Sequence, residues 1–199
     1  MAFIGKKPTA APLTSSDVAD GIITSAKIAD GTIVNADVNA SAAIAGSKLS
    51  GAGISVADQW RVTADVTSSA DITSNWERCD TSPQGSLSAV TESSGIFSFP
   101  STGYWLIIFT ASGMTSGGDN IAIQIHGTAD NSSYAALAYG ANGGTSMMQN
   151  AVCQTIIDVT DTAQVKVKMH ATSMGSGSVW YGASNETYTG TTFIRLGDT

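Results

Sequence analysis

The sequence predicts an all-β chain, a β-sandwich preceded by an extended N-terminal arm that carries ten-residue repeats. Three observations lead there. Only 13% of the 199 residues are charged, about half the usual share for a soluble domain. Ser, Thr, Asn and 21 glycines supply the polar surface instead, and such residues suit turns and exposed strand faces better than helices. Beyond residue 53, short β-rich runs alternate with Gly, Ser and Asn clusters. Before it, apolar residues recur every five positions, a spacing that is neither the helical 3.6 nor the strand 2.0.

Residues 1–16 form the first element. Pro8 and Pro12 favour extended or irregular backbone here. With Phe3, Ile4 and Leu13 as its bulky apolar side chains and Pro8 as a stiffener, this segment is a candidate attachment arm. Residues 17–53 form a stem of repeats. Asp17–Ala26 is followed by a second copy, Lys27–Ala36, and a degenerate third, Asp37–Gly46. The apolar positions are Val18, Ile23, Ile28, Ile33 and Val38, and Asp20-Gly21 and Asp30-Gly31 mark tight turns. Five aliphatic side chains cannot offset the ordering entropy of so many residues at ~1–2 kcal/mol each. Three copies of the chain around an axis would cover that row, as would a groove on a partner; a flexible linker is the alternative.

Residues 54–199 form the sandwich. Expected strands are Gln59–Val66, Trp76–Cys79, Gly95–Phe99, Gly103–Ser112, Asn120–Thr128, Ala135–Tyr139, Val152–Val159, Gln164–Ala171, Val179–Gly182 and Gly190–Leu196. Val165, Val167 and Met169 alternate with polar residues, as do Ile121, Ile123 and Ile125, which places each set on one strand face. Trp105, Leu106, Ile107, Ile108 and Phe109 are apolar on both faces, so one face is free to serve the core and the other a subunit interface.

Charge excludes some partners. Residues 1–51 hold four Lys and four Asp, whereas residues 52–199 carry the whole net charge of −7. An acidic body argues against nucleic acid, since phosphate neutralisation needs clustered Lys and Arg. The longest apolar stretch, Tyr104–Phe109, is far too short to span a bilayer, so no membrane partner is expected. No leader is visible at the start, so synthesis in a cytoplasm is expected.

Chemistry-bearing motifs are scarce. Cys79 and Cys153 form no zinc-type spacing, and burial as free thiols or a disulfide both stay open. His126 and His170 stand in separate strands, in no metal or catalytic spacing. No catalytic serine elbow or phosphate loop occurs, so no enzyme, no cofactor and no metal are expected. Asp158 and Asp161 flank a turn as turn-formers or as a cation site, and Asp119-Asn120 and Asp130-Asn131 invite the same two readings. Trp180 and Tyr181 lie between a Ser/Gly loop and another turn, either as a surface contact for carbohydrate or protein or as a buried aromatic pair.

Ile96-Phe97-Ser98-Phe99-Pro100-Ser101-Thr102-Gly103-Tyr104-Trp105 and the strand after it resemble the central signature of the C1q/tumour-necrosis-factor-like jelly roll. Ile156–Val167 is similar to that family's strand, acidic turn and strand, and Tyr188–Leu196 to its last strand. The resemblance covers most of residues 60–199. It implies a ten-strand jelly-roll knob that assembles as a homotrimer, with Phe97, Phe99, Tyr104, Trp105, Ile107, Phe109 and Phe193 in its core or subunit interface. No collagen-like or helical stalk precedes the knob, and the ten-residue repeat stands in its place.

The opening Met1–Gly5 with Pro8, then Leu13–Ile23 and the Ala-Lys-Ile-Ala-Asp-Gly-Thr-Ile repeat, resemble the start of appendage proteins of tailed phages, especially phages of marine or freshwater bacteria. That resemblance implies a structural protein on the virion surface, a trimeric capsid decoration (cement) or head-fibre protein. Its partners would be the major capsid protein and two further copies of the chain. The alternative is a tail-fibre or tail-tip adhesin, joined to tail proteins, whose knob binds a host surface glycan or protein.

Overall fold

The computed structural model describes residues 18–39, 41–42, 44, 53–87, 90–117, 120–144 and 146–199. The arm residues Phe3, Ile4, Pro8 and Leu13 lie outside the described residues. Contacts divide the chain into two units, Met1–Leu49 and Ser50–Thr199.

In the first unit the ten-residue period is carried by the backbone. Gly21 and Gly31 take φ of +77° and +76°, a region open to glycine at no steric cost. The Ile22 and Thr32 amides close these turns on the carbonyls of Ala19 and Ala29. Single 3₁₀ turns follow at Ser25–Lys27 and Asn35–Asp37, ten residues apart. The Asp37 carboxylate accepts the Val34 amide at 2.9 Å. Within one chain Val18, Ile23, Ile28, Ile33 and Val38 are all exposed, Ile33 by 58%.

Among the described residues the second unit holds twelve antiparallel strands: β1 Ala57–Val62, β2 Ala70–Asp71, β3 Trp76–Arg78, β4 Thr91–Ser93, β5 Ile96–Ser98, β6 Gly103–Met114, β7 Asn120–Thr128, β8 Ala135–Gly143, β9 Met148–Val159, β10 Lys166–Thr172, β11 Val179–Trp180 and β12 Gly190–Gly197. They form two six-stranded sheets. One runs β11-β6-β12-β1-β3 with β9 on the free side of β6, and the other runs β4-β5-β10-β7-β8 with β2 added to β10. Among the described residues there is no α-helix. None of the helices among the described residues is long and apolar enough to cross a membrane.

Ten strands were expected and twelve occur. The extra two, β2 and β4, have two and three residues, too short to show alternation. The expected Gln59–Val66 strand stops at Val62, and Val66 instead makes a lone bridge to Trp180.

Alternation sets the core. Trp105, Ile107, Phe109 and Ala111 of β6 face inward and are buried, as are Ile121, Ile123 and Ile125 of β7 and Val167, Met169 and Ala171 of β10. At its centre Phe97 meets Trp76, Phe193 and Trp60 with ring centroids 5.0, 5.1 and 5.8 Å away, while Phe99 packs on Trp105 at 5.0 Å. Cys79 and Cys153 are buried free thiols, and burial pushes the Cys153 thiol up to about 11.

Two arginines tie β1 to β3 and its following loop. Asp58 is fully buried. Its carboxylate accepts the Arg78 guanidinium at 3.0 Å and the Val90 amide at 2.9 Å, and Arg78 also lies 4.6 Å over the Trp60 ring. Arg61, likewise fully buried, donates to Glu77, Thr81, Gln84 and Asp80. Arg78 keeps 36% of its side-chain surface while Asp58 keeps none, so it is loss of Arg78 that leaves a buried charge uncompensated, at about 3–5 kcal/mol. Arg78→Met should therefore lower the urea midpoint sharply, and Asp58→Asn in the same chain should restore part of the loss.

Candidate functional site

Two surfaces of the sandwich carry side chains that a lone soluble domain does not require. The first is the outer face of the β9–β6–β12–β1 sheet. Pairing brings Ile156, Leu106, Ile194 and Ala57 into one row across four strands. The next row is Gln154, Ile108, Thr192 and Gln59. Leu106, Ile108 and Ile194 are half-buried, while Tyr104, Met148 and Leu196 are exposed, and Ile156 and Val152 keep 59% and 58% of their surface. Exposed apolar area gathered on one sheet face is a mark of an interaction surface. Tyr104 thus belongs to this outer face, whereas Phe97, Phe99, Trp105, Ile107, Phe109 and Phe193 belong to the interior.

The aromatic pair at 180–181 is split by the fold. Trp180 is fully buried rather than a surface contact. Gly113 makes the space: a Cβ there would lie 2.9 Å from the indole ring and 2.0 Å from the Val179 carbonyl. Tyr181 stays half-buried and meets the Tyr188 ring edge-on at 5.9 Å.

The second surface is polar and lies on the outer face of the other sheet. In β7 and β10 the inward positions are the buried aliphatics, so Gln124, His126, Lys168 and His170 point outward. Register sets Lys168 opposite His126, His170 opposite Gln124, and Asp71 of β2 opposite His170. The imidazoles of His126 and His170 stack with centroids 4.5 Å apart. Asp71 Oδ1 lies 2.8 Å from His170 Nδ1 and 3.8 Å from His126 Nδ1, and Lys168 Nζ lies 3.3 Å from Oδ2. The three groups offer ligand atoms that all fall within 4.8 Å of one another. Burial pushes His126 below its ordinary range, and the neighbouring His170 adds to this. Burial raises the Asp71 carboxyl, but hydrogen bonds from His170 and Lys168 outweigh it and hold it below the ordinary carboxylate range.

Sequence reasoning missed this cluster. The histidines lie far apart along the chain, and only the β7–β10 register joins them. One usable signal was present: both occupy polar positions of strands whose alternate residues are aliphatic.

The loop carboxylates act locally. Asp130 accepts the Ser133 and Ser132 amides and the Thr128 hydroxyl, which together hold it far below the ordinary carboxylate range. Asp161 accepts the Ala163 amide at 2.7 Å. Asp158 sits on the outer face of β9, opposite Tyr104. Asp119 lies outside the described residues.

Neither a protein-family model nor a curated protein matches the sequence. Solved structures do resemble its fold. The Eiger TNF of S. frugiperda aligns with a TM-score of 0.56 at 14% identity, over 72% of this chain and 94% of that one. Murine APRIL at pH 5.0 aligns at 0.52 and 8%, over 71% and 98%. The globular domain of zebrafish complement 1qA gives 0.47 and 12%, over 73% and 99%. At such identities the likeness is one of fold, and the second unit is a jelly roll like those of the TNF and APRIL structures.

Proposed function

We propose that this chain is a structural, non-enzymatic protein of a bacteriophage particle, a homotrimer that decorates the head or forms a short head fibre. The observation that carries the reading is the uncovered aliphatic row of the stem, Val18, Ile23, Ile28, Ile33 and Val38, repeated on a strict period and exposed in one chain. Three chains side by side bury that row against itself, and the Ile156–Leu106–Ile194 face of the jelly roll supplies a second, larger contact. Residues 1–16 then attach the trimer to the shell, with Phe3, Ile4 and Leu13 as apolar anchors, and the acidic jelly roll faces outward. The protein is assembled in the host cytoplasm and stabilises the head by adding interface that exists only in the assembled state.

The test is a deletion of residues 1–16, with incorporation into virions measured beside the oligomeric state. The expected result is a folded trimer that no longer sediments with particles. A truncated chain that still decorates them overturns the arm assignment. If full-length chain is confined to a few copies at the tail, the knob is instead an adhesin for a host surface glycan or protein.

A further inference from the structure

We propose that Asp71, His126 and His170 form a surface site for a divalent cation of the zinc class, held across β2, β7 and β10. Two imidazoles and one carboxylate select borderline metals such as Zn²⁺, Co²⁺ or Ni²⁺ over Ca²⁺ and Mg²⁺, which prefer all-oxygen ligands.

The hydrogen bonds prepare the ligands. Gln124 Oε1 lies 2.8 Å from His126 Nε2. With that amide oxygen as acceptor His126 donates from Nε2, and in the neutral ring this leaves the Nδ1 lone pair bare. That lone pair faces Asp71 Oδ1, a second acceptor, 3.8 Å away. Two electron-rich atoms held face to face call for a cation between them. An outer bond that fixes the tautomer of a ligating imidazole is the usual partner of a metal-bound histidine. Asp71 Oδ2 is engaged by Lys168 at 3.3 Å and Oδ1 by His170 Nδ1 at 2.8 Å, so a metal takes Oδ1 in place of the His170 proton. Beside Lys168 lies Tyr134, whose ring takes the ammonium at 4.1 Å. The Tyr134 hydroxyl is buried with no partner among the described residues, a second sign that a polar species belongs in this neighbourhood.

Two features set the affinity. The rings are nearly parallel, 17° apart, so their lone pairs do not yet converge. Ligation turns them about χ2, a soft torsion for histidine, and the proton that His170 Nδ1 now donates to Asp71 is released to solvent as the metal takes its place. The Lys168 ammonium opposes a dication, so affinity is modest and rises when that charge is removed.

The test uses the full chain and the metals alone: calorimetric titration with ZnCl₂, and Co²⁺ titration followed by visible absorption, with thermal melts confirming that each variant is folded. The wild-type chain should bind one Zn²⁺ per protomer and ignore Ca²⁺. His126→Ala and His170→Ala should each weaken binding ~10-fold or more, the loss typical even of an outer partner. Lys168→Met should tighten it, an effect that a merely structural lysine would not produce. A wild-type chain that takes no Zn²⁺ overturns the proposal. So does unchanged affinity in both folded histidine variants, or weaker binding in Lys168→Met.

Discussion

Ile156→Lys should convert the proposed trimer to folded monomers. Ile156 keeps 59% of its surface within one chain and stands in the row with Leu106 and Ile194, so the lysine has room in the monomer. In the assembly its side chain would enter a contact repeated three times. Losing one buried aliphatic at ~1.5–3 kcal/mol per chain removes roughly 5–9 kcal/mol per trimer, before the cost of desolvating three ammonium groups. At about 1.4 kcal/mol per tenfold that weakens association by roughly 10³–10⁶-fold. Light scattering reads the mass, and an unchanged far-UV spectrum and melt confirm the fold. A trimer that survives the change would place the subunit contact on another surface.

Phe97→Ala tests the interior instead. Phe97 is fully buried and joins Trp60, Trp76 and Phe193. Truncating such a ring costs about 3–5 kcal/mol. In a domain of this size each kcal/mol moves Tm by ~2–4 °C, so a fall of roughly 6–20 °C is expected by calorimetry. Tyr104→Ala, on the exposed face of the same sandwich, should leave the melting of a monomer nearly unchanged.

The contrast between these two residues also shows what was legible in the sequence. Long strands with clean alternation were readable almost to the residue: Asn120–Thr128 is the strand β7, and the β6 run of apolar residues on both faces splits into an inward Trp105–Ile107–Phe109 set and an outward Leu106–Ile108 set. Boundaries failed where glycine and methionine carry strand pairing. β8 continues through Gly140-Ala141-Asn142-Gly143, which reads as a turn, because its partner β7 goes on pairing as far as Asn120. β9 starts at Met148, four residues before the expected Val152, because β6 extends to Met114 to pair with it.

Side chains whose role depends on register were out of reach. Trp180 reads either as a surface aromatic or as a buried one, and it is buried, because a glycine on the neighbouring strand leaves room for its ring. Asp71 belongs to a two-residue strand with no pattern of its own, so its meeting with His126 and His170 depends on tertiary pairing alone. The stem repeat was plain in sequence, down to the Asp-Gly turns. Which of the two covers the sequence allows, two further chains or a partner's groove, was not, because among the described residues nothing in one chain covers the row.

The native mass of the 199-residue chain tests most directly whether three chains come together. Light scattering or native mass spectrometry on micromolar protein should give a single species at three times the 20.3 kDa chain mass, stable on dilution. A monomer at that concentration would contradict the account, since the stem row and the Ile156 face would then stand in water with nothing to cover them.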